Sequence, residues 1–184
     1  PVPSLVPTFS SGGGGGGSQT ASPTPTPTLT PSPSPTPTPE PEESTLGKVV
    51  INEIAWMGTA SSSNDEWIEL YNISSQSVDL AGWTLKAQDG IPNITLASKS
   101  IDPFGFYLLE RTDDTTVSNI SADQTYTGDL GNGGEILELR DAGGNLQDLV
   151  NASSSWPAGT NPSGNPAGRA SMERINPLAS GSNS

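Results

Sequence analysis

Cysteine and histidine are both absent from the 184 residues. Without thiols there is neither a disulfide framework nor a thiolate metal site, and cysteine usage says nothing about the redox compartment. Without imidazole, a Ser-His-Asp triad, a cysteine-protease arrangement, a His-based zinc site and a histidine general base are all excluded. Basic residues are scarce: seven Lys and Arg stand against 20 Asp and Glu, a formal net charge of −13. Nucleic-acid affinity comes mainly from neutralising phosphates with clustered Lys and Arg, so no nucleic-acid partner is expected. The same field disfavours docking on anionic lipid. Long apolar runs are also missing. None is longer than that from Phe106 to Leu109, whereas a membrane helix needs about 18 to 20 residues, and no direct membrane insertion is expected.

What is present is unevenly spread. Residues 1–45 carry only Val2, Leu5, Val6, Phe9 and Leu29 as large apolar side chains. That is too little surface to offset the entropy of ordering, and the segment is expected to stay unfolded. Gly12 to Gly17 is an unbroken glycine run that reads as a hinge. Nine prolines between Pro23 and Pro41 alternate with Thr, Ser or Glu. Alternating proline biases the chain to polyproline II, and at ~3.1 Å per residue such a stretch reaches about 60 Å. A semi-rigid stalk open to O-glycosylation is the ordinary reading. An SH3-ligand reading lacks the basic flanks that would orient it, because the only charges nearby are Glu40, Glu42 and Glu43. The start at Pro1, without initiator Met or signal peptide, is expected of a mature or excised fragment.

From Lys48 onward all seven bases and 17 of the 20 acids occur, a formal charge of −10. Here short segments rich in β-branched and aromatic residues are separated by Gly, Asn, Asp, Ser and Pro, the pattern of strands and turns. Strands are expected at Lys48 to Trp56, Glu66 to Asn72, Val78 to Lys86, Asn93 to Leu96, Phe104 to Arg111, Gly134 to Arg140 and Asn145 to Val150. No window sustains helical periodicity, and no connector is long enough for βαβ units, so the fold class is all-β and antiparallel. Ile68 and Leu70 lie on one face of their strand, with Trp67, Glu69 and Tyr71 on the other. Phe106 and Leu108 likewise oppose Tyr107 and Leu109. Apolar residues on both faces favour two packed sheets, a sandwich. The Gly143-Gly144 pair marks the turn of a hairpin running from Glu138 to Leu146.

Six landmarks then occur in order: Val49-Val50-Ile51-Asn52-Glu53-Ile54, Asp65-Glu66-Trp67-Ile68-Glu69-Leu70-Tyr71-Asn72, Val78-Asp79-Leu80-Ala81-Gly82-Trp83-Thr84-Leu85, Tyr107-Leu108-Leu109-Glu110-Arg111, Gly134-Glu135-Ile136-Leu137-Glu138-Leu139 and Ser171-Met172-Glu173-Arg174. Over about 125 residues they resemble the lamin tail domain family, specifically its bacterial secreted and surface branch. The resemblance implies an immunoglobulin-like β-sandwich over 46–178, preceded by the Gly-rich and Pro/Ser/Thr-rich stalk of 1–45 and followed by a flexible tail at 179–184. Members usually continue past the Ser-Met-Glu-Arg segment, so the fragment is expected to end slightly early. The resemblance implies accessory or protein-contact modules and brings no catalytic residue with it.

The chemistry left open by the missing His and Cys is narrow. A glycosidase-like carboxylate pair needs two acids roughly 5 to 9 Å apart across a cleft. Glu53, Glu66, Glu69 and Glu138 sit in expected strands, but acids on a solvent-facing sheet ordinarily keep it soluble, and no enzyme is expected. Asp113, Asp114 and Asp123 are candidates for Ca²⁺ in an oxygen-rich loop, since that ion takes six to eight oxygen ligands; the ordinary reading is a solvated acidic loop, and no cofactor is assigned. Trp56, Trp67 and Trp83 lie in expected strands and read as core anchors. Trp156, between Ser155 and Pro157, is the tryptophan expected to be exposed and the candidate for stacking on a sugar ring. The expected function is a non-catalytic extracellular or cell-surface module, monomeric, binding a protein or a cell-surface polysaccharide. The alternatives are an accessory domain of a secreted hydrolase or nuclease, and an assembly module that pairs through open sheet edges.

Overall fold

The computed structural model describes residues 12–14, 16 and 47–179. The chain divides into two compact units, Pro1–Glu40 and Pro41–Ser184. Of the stalk expected over 1–45 all but four glycines lies outside the described residues, as does the expected tail except Ala179.

The second unit is built from strands, numbered in chain order. β1 (Val49–Ala55), β2 (Trp67–Asn72), β7 (Phe106–Arg111), β8 (Gln124–Tyr126) and β11 (Met172–Glu173) form one sheet in the order β11-β1-β2-β7-β8. β4 (Thr84–Ala87), β5 (Asn93–Thr95), β9 (Ile136–Arg140) and β10 (Leu146–Asn151) form a second, in the order β10-β9-β4-β5. β3 (Val78–Asp79) and β6 (Ser100–Ile101) make a two-stranded ribbon.

Alternation along each strand decides what each sheet buries. In β2, Ile68 and Leu70 are fully buried while Trp67, Glu69 and Tyr71 between them are only half-buried. The inward side chains of the five-stranded sheet (Ile51, Ile54, Ile68, Leu70, Tyr107, Leu109) and of the four-stranded sheet (Leu85, Ile94, Leu137, Leu139, Val150) meet in one apolar cluster. Each such side chain contributes about 1.5–3 kcal/mol by leaving water.

Where the two sheets are stitched at one edge, polar groups do the joining. β1 carries a bulge between Ile51 and Glu53. β11 pairs with β1 only at Glu53 and Ile54, so the Ile51 peptide groups on that side have no strand partner. Ile51 N donates to Asp148 Oδ2 at 2.8 Å, and the Ile51 carbonyl accepts from Arg174 Nε at 3.0 Å. Arg174 also pairs with Asp148, whose carboxylate is buried. The ion pair thus takes the place of a neighbouring strand and binds β1, β10 and the end of β11 together.

Two expectations are corrected, and a third is borne out with one irregularity added. Val78 to Lys86 is two strands, because the turn Leu80–Trp83, closed by Trp83 N to Leu80 O at 3.0 Å with Gly82 at φ 76°, carries the chain from the ribbon to the four-stranded sheet. The pairing is not wholly antiparallel, since β8 runs parallel to β7. The Glu138 to Leu146 hairpin forms, but with an irregularity between Leu146 and Asp148 that turns Asp148 inward.

Candidate functional site

Trp156 is buried, not exposed. Its ring stacks on Trp56 with centroids 5.9 Å apart and planes 5° from parallel, and its Nε1 donates to the Gly131 carbonyl at 2.7 Å. A large apolar ring in a loop finds another ring to cover it, while the N–H finds a carbonyl; neither partner is near in sequence. Trp56 and Trp83 are buried and Trp67 packs on the core, as expected of anchors.

Asp113, Asp114 and Asp123 are not brought together as a calcium site. Asp113 accepts from the Thr115 hydroxyl, Asp114 from Ala122 N at 2.7 Å, and Asp123 from Leu108 N at 2.8 Å while facing Lys99. Asp113 and Asp114 fasten their own loop, and Asp123 ties its end to β7 and to Lys99. Among the described residues no group of three His, Cys, Asp or Glu is placed to hold a metal ion.

The strand carboxylates have three different fates. Glu66 is buried; it accepts from Leu130 N at 2.8 Å and pairs with Arg111 at 3.0 Å, and burial pushes its pKa up to about 7. Glu135, near it and gripping the next amide, Gly131 N, at 3.3 Å, is likewise pushed up to about 7 by burial. The neighbouring Tyr126 hydroxyl is buried without a hydrogen-bond partner. Glu138 pairs with Arg140 at 2.8 Å. Glu53 and Glu69 stand on the outer face of the five-stranded sheet.

That outer face is the candidate site. Register puts Glu69 opposite Glu53 and Glu53 opposite Glu173, so three carboxylates cross β2, β1 and β11 in one row. Asn52 Nδ2 donates to Glu69 Oε1 at 2.8 Å and the Ser171 hydroxyl donates to Glu53. Burial, and then the neighbouring acids, hold the Glu53 and Glu69 carboxyls above their ordinary range. None of the four ion pairs among the described residues includes any member of the row. One step along the same face, Tyr71 is opposite Phe106. Their rings stack with centroids 4.7 Å apart, yet Phe106 remains 56% exposed, as does Phe104 at the strand's entrance. The other end of the face is covered, because buried Glu110 accepts from Thr116 N at 2.9 Å and Val117 N at 2.8 Å, pinning the loop there.

Sequence reasoning named Glu53 and Glu69 but missed Glu173, Tyr71 and Phe106 as part of a site. Period-2 alternation puts Glu69 and Tyr71 on one face; the missing signal was the register between strands. A second feature, a cleft of about 260 Å³ between the edges of β5 and β8, is lined by Asn93, Thr95, Thr112, Gln124, Thr125 and Thr127, among others. These side chains carry no charge to orient a ligand, and Gln124 bridges the cleft by donating to the Thr95 carbonyl at 3.0 Å.

Two sheets facing each other over one apolar layer make the second unit an immunoglobulin-like β-sandwich. The Lamin Tail Domain family model matches residues 42–154, more than half of the chain, and the chain belongs to that family. It is a family of generally non-catalytic interaction modules. β11, paired to β1, lies beyond the matched residues. No curated protein matches the chain.

Proposed function

We propose that the chain is a binding and display module of the cell exterior, in which the sandwich engages a protein partner and the Pro/Ser/Thr-rich segment acts as its spacer. The observation that carries this reading is an aromatic group on the outer face of the five-stranded sheet, Tyr71 stacked on Phe106, with Phe106 and Phe104, two residues before it, each 56% exposed. Exposed aromatics concentrate binding energy at interfaces because they bring large, stiff apolar area at small entropic cost. The spacer composition of 23–41 supports display at a distance.

The test is affinity capture with the immobilised full chain from culture supernatant and from solubilised cell envelope, alongside the Phe104→Ser/Phe106→Ser double variant. Specific proteins retained by the parent and lost from the variant are expected. Equal capture by both, or retention of polysaccharide alone, sinks the reading. Light scattering over a concentration series checks that the parent stays monomeric; growth with concentration would favour assembly instead.

A further inference from the structure

Like charges placed directly opposite on neighbouring strands destabilise a sheet, and Cβ atoms at such positions stand about 5 Å apart. The five-stranded sheet holds two such oppositions in succession, Glu69 on Glu53 and Glu53 on Glu173. No ion pair among the described residues includes them: the four that form engage Lys99, Arg111, Arg140 and Arg174 elsewhere. Asn52 and Ser171 donate hydrogen bonds that orient the Glu69 and Glu53 carboxylates without cancelling their charge. Immediately beside the row, Phe106 offers more than half of its surface to solvent.

Resting on the protein-binding reading above, we propose that this face docks a basic, partly apolar segment of a protein partner. Lys or Arg side chains lie over the Glu173-Glu53-Glu69 row, and an adjoining apolar side chain packs on the Tyr71–Phe106 stack. Charge complementarity selects this occupant. A second copy of the chain would bring a formal charge of −13 against the same row, and nucleic acid would bring phosphates. A basic segment relieves the repulsion that the free face bears, so its charges gain more here than on a neutral surface. A cation close to an aromatic face gains further from the ring quadrupole.

The test follows ¹⁵N–¹H spectra of the full chain during titration with the peptide acetyl-Lys-Val-Lys-Tyr-Lys-Val-amide and its Glu-for-Lys counterpart. The Lys peptide is expected to shift amides of β1, β2 and β11 and those around Phe106. The Glu peptide should shift none of them. The isosteric triple variant Glu53→Gln/Glu69→Gln/Glu173→Gln should bind the Lys peptide about tenfold more weakly, and raised salt should weaken the parent similarly. Its melting temperature, expected at or above the parent's, verifies that the fold persists. Shifts confined to other strands, equal binding of both peptides, equal binding by the triple variant, or millimolar Ca²⁺ reproducing the peptide's shifts would each overturn the proposal. The two readings fail separately. Partners captured equally by parent and triple variant remove this site and leave a binding module, whereas empty capture removes the module itself.

Discussion

The outer faces of the two sheets treat charge in opposite ways. On the four-stranded sheet Lys86 stands opposite Glu138, and Arg140 pairs with the same Glu138, so the face neutralises itself. On the five-stranded sheet the row that runs from β2 across β1 to the edge strand β11 is Glu on Glu on Glu. Both faces belong to the same sandwich, and acids on an outer face are compatible with solubility in either arrangement. The difference lies in what the charge is available for: the first face has spent it internally, and the second holds it ready for something outside.

The strongest way to break this contrast is to remove the strand that completes the row. Arg174→Ala deletes the partner of buried Asp148 and the donor to the Ile51 carbonyl, leaving a buried charge unpaired. The cost is expected to be about 3–5 kcal/mol, read as a lowered urea midpoint. β11 should lose protection from hydrogen exchange before the four-stranded sheet does.

A second test uses pH. Glu66 and Glu135, pushed up to about 7 by burial, keep protons in the folded chain at pH values where the unfolded chain has released them. Glu53 and Glu69 shift in the same direction. Stability from these groups is therefore full below the ordinary carboxylate range, near 4.5, and declines as pH rises through about 7. The melting temperature should fall by several degrees between pH 5 and pH 8. Glu135→Gln should remove somewhat under half of that slope, Glu66 carrying a similar share, and Glu53→Gln/Glu69→Gln a smaller part. A melting temperature that rises over this interval would contradict the assignment.

The smallest effects are the most symmetrical. Glu173→Lys places a cation opposite Glu53 and should stabilise by about 0.5 kcal/mol, while Lys86→Glu places an acid opposite Glu138 and should destabilise by a similar amount. Chemical denaturation of both, with opposite signs, would sharpen the comparison. The same sign in both would end it.

Much of this arrangement was legible along the chain, because local alternation sets which side chains share a face. Ile68 and Leu70 read as inward and are buried; the Gly143-Gly144 turn reads as a hairpin and is one, with Gly144 at φ 80°. What depends on distant partners was not legible. β8 and β11 are three and two residues long and exist only because β7 and β1 offer them edges. Trp156 in a Ser/Pro loop reads as exposed until Trp56, 100 residues earlier, is laid against it. The opposition of Glu53 to Glu69 depends on the bulge at Asn52, which no turn residue announces.

The Arg174 contact with the Ile51 carbonyl spans 123 residues of sequence. Closing so long a loop carries a large entropic cost, and contacts of this separation slow folding. As a nascent chain the domain can assemble its hairpins and pack most of its interior while β1 still has a bare edge and Asp148 lacks its countercharge. Completion waits for a four-residue segment at the far end, Ser171 to Arg174. That makes the last strand a timing element: until it arrives, the sheet edge beside it is open to pairing with a neighbouring chain, and the acidic row has only two of its three members.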